Sequence, residues 1–398
     1  MSKIVFIFAL GLALLPMKNA HSKNIKVATF NVSMEALNYI EHKRGSNSIV
    51  PSNTLTKALQ QNNAQIKNIA EIIQRVNPDI ILLNEFDFSD NNLQSKHSAL
   101  KDFLDNYLAK SQQGQAPQKY PYFYQGPVNT GVNSGFDLDG NGIKGQLPGD
   151  GFGFGYFPGH FAMAILSKYP IDIKNIRTFQ HFKWADMPNA LQPIDEKTNQ
   201  SWFKDNAWSS LRLSSKSHWD VPITVNNKTL HILASHPTPP VFDGPEDRNG
   251  KRNHDEIRFW HDYISDNNNG YIYDDNGQKG GLTQSSPFII LGDLNASNVD
   301  GDAINTGIDA LLNHDKINDV MPSSDGGKKH SKNNTNAQHH TAYWRMRADY
   351  VLPSKQGFKY VNSGVFWPLE NEPTFRLIKD RTASSDHRLV WVELELTN

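Results

Sequence analysis

Six short polar islands, each set against an apolar, β-branched run, constrain this chain more than any other feature. They read Thr29-Phe30-Asn31, Asn84-Glu85-Phe86-Asp87, Ser235-His236-Pro237, Gly292-Asp293-Leu294-Asn295, Ala348-Asp349-Tyr350 and Ser384-Ser385-Asp386-His387. The adjoining runs, at residues 25–28, 80–83, 230–234, 287–291, 350–352 and 389–396, are short and rich in Ile, Val and Leu, as buried strands are. A carboxylate, carboxamide or imidazole is costly to bury alone. A chain that repeatedly places them at strand ends is therefore expected to gather them in one shared pocket.

Length and composition set the outer limits. At 398 residues the chain can build one large two-sheet domain or two ordinary ones. No linker separates the islands, so residues 23–398 read as a single catalytic domain. The 40 basic and 41 acidic residues nearly cancel, so bulk charge gives no general attraction to a polyanion. Cysteine is absent, which excludes disulfides, thiol catalysis and thiolate metal sites and leaves oxygen and imidazole donors. The basic start Met1-Ser2-Lys3, the apolar run at 4–16 and the small residues of Ala20-His21-Ser22 read as a signal peptide over residues 1–22. Cleavage after Ser22 and a secreted or periplasmic protein are expected. No other run approaches membrane length, so no stable membrane insertion is expected, and a monomer is the expected state.

The spacing of apolar residues predicts a strand over 25–32 and one amphipathic helix over 54–76, with Leu59, Ile66, Ile69, Ile72, Ile73 and Val76 as its stripe. Asn77-Pro78-Asp79 breaks that helix before a strand that delivers Glu85. Further helices fit 98–108, 253–264 and 304–312; further strands fit 162–166, 222–234, 287–291, 350–353 and 389–396. Glycine is so frequent over 126–159 that a long loop is expected, and loops of that length usually serve a function. Residues 184–208 read as irregular, and 323–340 as a polar, mobile loop in which His330, His339 and His340 are exposed rather than metal ligands.

Each island has a chemical reading and a plainer one. Glu85 suits a hard divalent cation, which takes one or two carboxylates and keeps several waters; it is equally a solvated strand-end acid. Asp293 and Asn295, one residue apart, point to the same side of an extended chain, where one can orient water and the other reach a phosphoryl oxygen. The alternative is an Asx turn. His236 and His387, if protonated, can neutralise charge developing on phosphate oxygens, with Asp349 holding one of them in its tautomer and charged. Asn31 completes the ring by orienting Glu85 or a phosphate oxygen.

Taken in order over residues 25–396, these motifs resemble the endonuclease/exonuclease/phosphatase superfamily with the deoxyribonuclease I-like fold. Gly-Asp-Leu-Asn followed by Ser-Asp-His, with an upstream Asn and Glu, is the specific part of the match. The resemblance implies an α+β fold, a four-layer α/β/β/α sandwich with its site where the strand ends of two sheets meet. It implies that Glu85 is the principal Mg²⁺ or Mn²⁺ ligand, helped by Asn31 and Asp386. Asp293 then activates or orients water, Asn295 contacts phosphate, and His236 and His387 grip it with Asp349 behind His387. Many relatives have Tyr-Gly shortly before the Ile165-Leu166-Ser167 strand; this chain has Phe161-Ala162, so no phenol contact carries over there.

Two insertions bear on the substrate. Asp137, Asp139 and Asn141 begin like a calcium loop, with Gly142 after them, but Pro148 stands where a twelfth-position glutamate belongs; structural Ca²⁺ and a plain Gly/Asx turn both remain open. Residues 242–258 carry Arg248 and Arg252, which either fork onto a substrate phosphate or pair internally on a solvated helix start, the second being the commoner fate of such charge clusters. The expected function is a secreted, divalent-metal-dependent phosphoester hydrolase, leaning to small or medium phosphate esters. Alternatives are a non-specific endonuclease with nucleic acid as substrate, a sphingomyelinase or phospholipase C-like activity, and a non-catalytic calcium-ordered binding protein.

Overall fold

In chain order the elements are β1 (Asn24–Met34), α1 (Thr54–Gln60), α2 (Ala64–Val76), β2 (Ile80–Phe86), α3 (Ala99–Phe103), β3 (Tyr122–Tyr124), β4 (Met163–Ser167), β5 (Arg177–Thr178), β6 (Ile194–Asp195), β7 (Gln200–Ser201), α4 (Ala207–Ser210), β8 (His218–Val225), β9 (Lys228–Ser235), α5 (Arg248–Ile264), β10 (Phe288–Asp293), α6 (Asn305–Leu312), α7 (Asp325–His330), β11 (Asp349–Pro353), β12 (Phe358–Val365) and β13 (Val390–Leu396). The computed structural model describes residues 24–42, 49–88, 98–204, 206–267, 269–283 and 285–397; the expected signal peptide lies outside them.

Side-chain alternation along the strands builds the layers. A six-stranded sheet runs β12-β13-β1-β2-β4-β3 and a five-stranded sheet runs β11-β10-β9-β8-β5. Along β10, Ile289 and Leu291 join the core shared with β1, β2 and α2, while Phe288 and Ile290 face a second core with Ile257 and Trp260 of α5 and Ile308 and Leu311 of α6. Both faces of this strand are thus buried, which is why it is an unbroken apolar run rather than an alternating one. The result is the expected α+β sandwich, with helices outside two stacked sheets.

Three departures from the expected elements have local causes. The stripe over 54–76 is two helices, because the Asn63 side chain caps the second by accepting from the Gln65 and Ile66 amides at 2.9 and 3.3 Å. The run 222–234 is a hairpin of β8 and β9 turned by Asn226 and Asn227, both left-handed at φ 51° and 64°, which Asn tolerates well. The polar stretch 323–340 is ordered: it holds α7, and His340 is fully buried with its Nε2 3.3 Å from Asp300. Among the described residues, no helix is long and apolar enough to cross a membrane.

Candidate active site

Strand direction explains why the islands meet. Strands β1 and β2 are parallel with Asn31 beside Asn84, and β9 and β10 are parallel with Ala234 beside Leu291, so four islands leave the sheets at one end. Strand β11 runs antiparallel to β10 with Asp349 across from Asp293, and β13 antiparallel to β1, so the residues that precede these strands reach the same end. Asn84 fastens the two sheets there. Its Oδ1 accepts from Thr29 Oγ1 at 3.2 Å and from the Asp293 amide at 3.3 Å.

Asp293 Oδ2 is the hub of the resulting ring. It accepts from Asn31 Nδ2 at 3.0 Å and lies 3.4 Å from His236 Nε2 and 3.5 Å from His387 Nε2. His387 Nδ1 meets Asp349 Oδ2 at 2.9 Å, and that same oxygen accepts from Thr341 Oγ1 at 2.7 Å. Ser385 sets the approach of the last island by donating to the Asn31 carbonyl at 2.7 Å and accepting from the His387 amide at 3.1 Å. Asp386 accepts from Ser33 Oγ at 3.2 Å. Glu85 sits in the left-handed region at φ 53°, a strained placement for a β-sheet end that turns its carboxylate towards Asn31 and Asp386.

The extended-chain geometry expected of Asp293 and Asn295 is replaced by a turn. Strand β10 ends at Asp293, whose Oδ1 accepts the Asn295 amide at 3.0 Å while Asn295 adopts φ 52°. The Asn295 side chain donates to the Pro237 carbonyl at 3.1 Å, so the turn itself seats it beside His236.

Electrostatics divides the two histidines. Burial opposes protonation of His387, but Asp349 and Asp293 outweigh it and lift its pKa to about 10. Burial, then Lys216 and His387, push His236 well below the ordinary value, so it is neutral and acts by hydrogen bonding. The imidazole that Asp349 holds charged is thus His387. Burial, with Asp386 and Glu35 nearby, raises Glu85 to about 7, and burial raises Asp293 to about 6 against the pull of His387.

Lys216 completes the charge pattern and is absent from the sequence-based candidates. It is 6% exposed, and its ammonium makes no hydrogen bond or ion pair among the described residues, yet it lies close enough to Glu85, Glu256 and Asp293 for each to favour its charge. Its segment is pinned by buried Glu256 of α5, whose two oxygens accept the Ser215 and Thr238 amides at 2.6 Å each. No apolar run or motif precedes Lys216, so nothing local in the sequence marks it.

Of the two readings of Arg252, phosphate fork or internal engagement, the contacts support the second. Its guanidinium donates to the carbonyls of Leu213, Phe152 and Arg212 at 2.8, 2.6 and 2.9 Å, which commits it to holding loops. The first residues of α5, Arg248 and Asn249, are half-buried, while Asn253, Asp255 and Glu256 one to two turns further on are fully buried. Arg248 pairs with Glu246 and stacks over Trp202, 5.5 Å from the ring centre. In the Gly-rich loop, Asp137 and Asp139 are joined by Asp150, each placing an oxygen within 4.8 Å of the others. All six of these oxygens also accept hydrogen bonds from the loop, chiefly backbone amides.

The donor set fits a hard divalent cation. Glu85, Asp386 and Asn31 offer oxygen donors, and burial together with the neighbouring Asp386 raises the Glu85 pKa, an effect that a bound cation would reverse. Fold and site together define a metal-dependent phosphoester hydrolase. The chain belongs to the endonuclease/exonuclease/phosphatase family, whose model matches residues 28–387. Among solved structures, an endonuclease/exonuclease/phosphatase from Beutenbergia cavernae DSM 12333 superposes with a TM-score of 0.51 at 16% identity, over 94% of this chain and 72% of that one. Beta toxin from Staphylococcus aureus matches at 0.44 with 18% identity, over 92% and 99%, and the human Nocturnin catalytic domain at 0.45 with 13% identity, over 94% of each. No curated protein sequence matches the chain.

Proposed function

We propose that this protein is a secreted phosphodiesterase acting on small or medium phosphate esters by in-line attack of water on phosphorus. The observation that carries the reading is the hub position of Asp293, one carboxylate oxygen within 3.5 Å of Asn31, His236 and His387. A pKa near 6 lets Asp293 orient the attacking water and take its proton close to neutral pH. His387, kept charged by Asp349, faces the phosphoryl oxygens on which negative charge grows. Lys216 approaches the same oxygens from the β8 side, and neutral His236 and the Asn295 amide fix their orientation.

Glu85, Asn31 and Asp386 would hold Mg²⁺ or Mn²⁺, which when bound polarises the phosphoryl group and stabilises the leaving oxygen. Hydrolysis of bis(p-nitrophenyl) phosphate should vanish with a chelator and return with either ion. Turnover indifferent to chelation overturns the assignment. A net charge near zero gives no general attraction to a polyanion, so plasmid cleavage should be the weaker activity in one buffer. The secreted setting rests on the signal-like residues 1–22, and N-terminal sequencing of the exported protein should begin at Lys23. Because all six carboxylate oxygens of Asp137, Asp139 and Asp150 already accept hydrogen bonds within their loop, a metal-stripped sample should melt at the same temperature with and without Ca²⁺.

A further inference from the structure

A cavity of about 520 Å³ opens directly from the catalytic ring, with Glu85, Lys216 and His236 in its wall. That volume is in the range of sites for drug-sized molecules. Part of its wall is hydrocarbon. Leu138, Trp184, Phe203 and Leu211 line it and are all buried members of the core beneath the second sheet. They come from the Gly-rich loop and from the irregular segment 184–211, and the stretch after His236 closes the side through Val241. Segments that look like separate surface loops in the sequence thus build one enclosure on the active site.

Most polar groups beside these side chains are already engaged, Arg248 with Glu246 among them, and the Thr238 hydroxyl is, with His236 Nδ1, a buried wall atom with no partner among the described residues. The Trp184 indole N–H donates to Asp255 at 2.7 Å, and Arg252 is taken up by three carbonyls. Leu138, Phe203 and Leu211 have no side-chain donor or acceptor to give. A nucleobase pushed into such a floor would leave its ring edge unpaired, at the cost that follows for any buried polar group. A hydrocarbon arm has no such demand and gains by leaving water.

From this continuity we infer that the cavity is a specificity site for an apolar ester arm, and that the substrates are amphiphilic phosphodiesters carrying an alkyl chain next to the scissile phosphate. The inference rests on the phosphodiesterase reading and narrows it. In the bound ester, phosphate meets Lys216 and His387 while the chain runs away from them towards Leu211 and Phe203.

The test is a homologous series of p-nitrophenyl alkyl phosphates, from methyl to octyl, which share one leaving group and therefore one chemical step. With Mg²⁺ or Mn²⁺ present, kcat/KM should rise roughly fourfold per methylene that enters the cavity, then level off when it is full. In Val241→Asp, which sets a charge in the wall of the cavity, the slope of log kcat/KM against chain length should collapse. The slope is internal to each protein, so a change in overall rate does not affect it. Should that variant fold poorly, calorimetric binding of methylphosphonate and octylphosphonate to the native protein decides alone, with the octyl compound expected to bind more than a hundredfold tighter. A flat series, equal phosphonate affinities, or a thymidine 5′-p-nitrophenyl ester outpacing the octyl ester overturns the apolar arm. Absence of turnover for every member, with octylphosphonate still preferred, overturns the phosphodiesterase reading and leaves the cavity assignment standing.

Discussion

Two clusters of acids in this molecule look alike in the sequence and behave oppositely in the fold. In the loop that holds Asp137, Asp139 and Asp150, every carboxylate oxygen accepts a hydrogen bond from within the loop, and Asp150 alone takes the amides of Leu138, Asp139 and Gln146. In the ring around Asp293, capacity is left over. Among the described residues, Asp349 Oδ1, His236 Nδ1 and Asn84 Nδ2 are buried without a partner, and the Lys216 ammonium at the cavity wall is unpaired. A buried polar atom without a partner costs of the order of 1–3 kcal/mol, so a fold keeps several together only where something else meets them. Saturated acids hold a backbone shape, whereas unsaturated ones await a ligand.

The sharpest way to break this contrast is to neutralise the hub. Asp293→Asn should lower kcat by about 10³- to 10⁴-fold with the fold intact, because it removes the group that takes the proton of water and not a packing contact. Circular dichroism and steady-state kinetics on bis(p-nitrophenyl) phosphate check both halves. A variant that loses activity only because it unfolds would place the ring with the loop. His387→Ala should cost about 10³-fold, and Asp349→Asn should drag the His387 pKa down from about 10 towards its ordinary value, an effect visible by imidazole NMR. Lys216→Met keeps the length of the side chain and removes its charge; kcat/KM should fall about 10²-fold while stability holds or rises, since an unpaired buried ammonium is lost.

How much of this is legible in the sequence depends on whether a residue's neighbours along the chain share its role. Asn31, Glu85, His236, Asp293 and Asp349 are visible because each terminates or starts an apolar run, and strand direction then carries them to one place. Thr341 and Glu256 are not, because their partners lie 8 to 41 residues away, and Lys216 is not, because no apolar run or motif adjoins it. The Asn226-Asn227 turn and the break before Ala64 depend on single side chains able to adopt a left-handed backbone or cap a helix, and a hydrophobic stripe passes over both. Arg252 misleads for the complementary reason: charge in sequence says nothing of whether carbonyls already surround it.

The scaffold behind the ring has its own pH signature. His218 is buried against Phe259 and Trp260 and donates to the Glu256 carbonyl at 2.8 Å, and burial lowers its pKa to about 4. The unfolded chain binds a proton at this residue below about 6.5 while the folded chain does not until about 4, so stability is lost as pH falls through that window. The full difference is about 3 kcal/mol, which His218→Gln, having no ionisable group, should largely remove from a urea-melt series at pH 7, 5.5 and 4.5.

The smallest effect is expected where the comparison began. Asp150→Ala strips three amides of their acceptor in a loop that also forms the cavity wall through Leu138 and Asp139. Part of that loss is recovered by water at its exposed edge, so the global stability cost should be about 1–2 kcal/mol, a shift of only a few degrees in a domain of this size. Chemistry at Asp293 should be nearly untouched for the methyl ester of the alkyl series, because among the described residues the hydrogen bonds to the Asp150 carboxylate come from its own loop. The longer esters should suffer more, since Leu138 is displaced with its amide. An Asp150→Ala protein that loses turnover on all esters alike would show that the loop and the ring are one unit, and that saturation of hydrogen bonds does not separate scaffold from site.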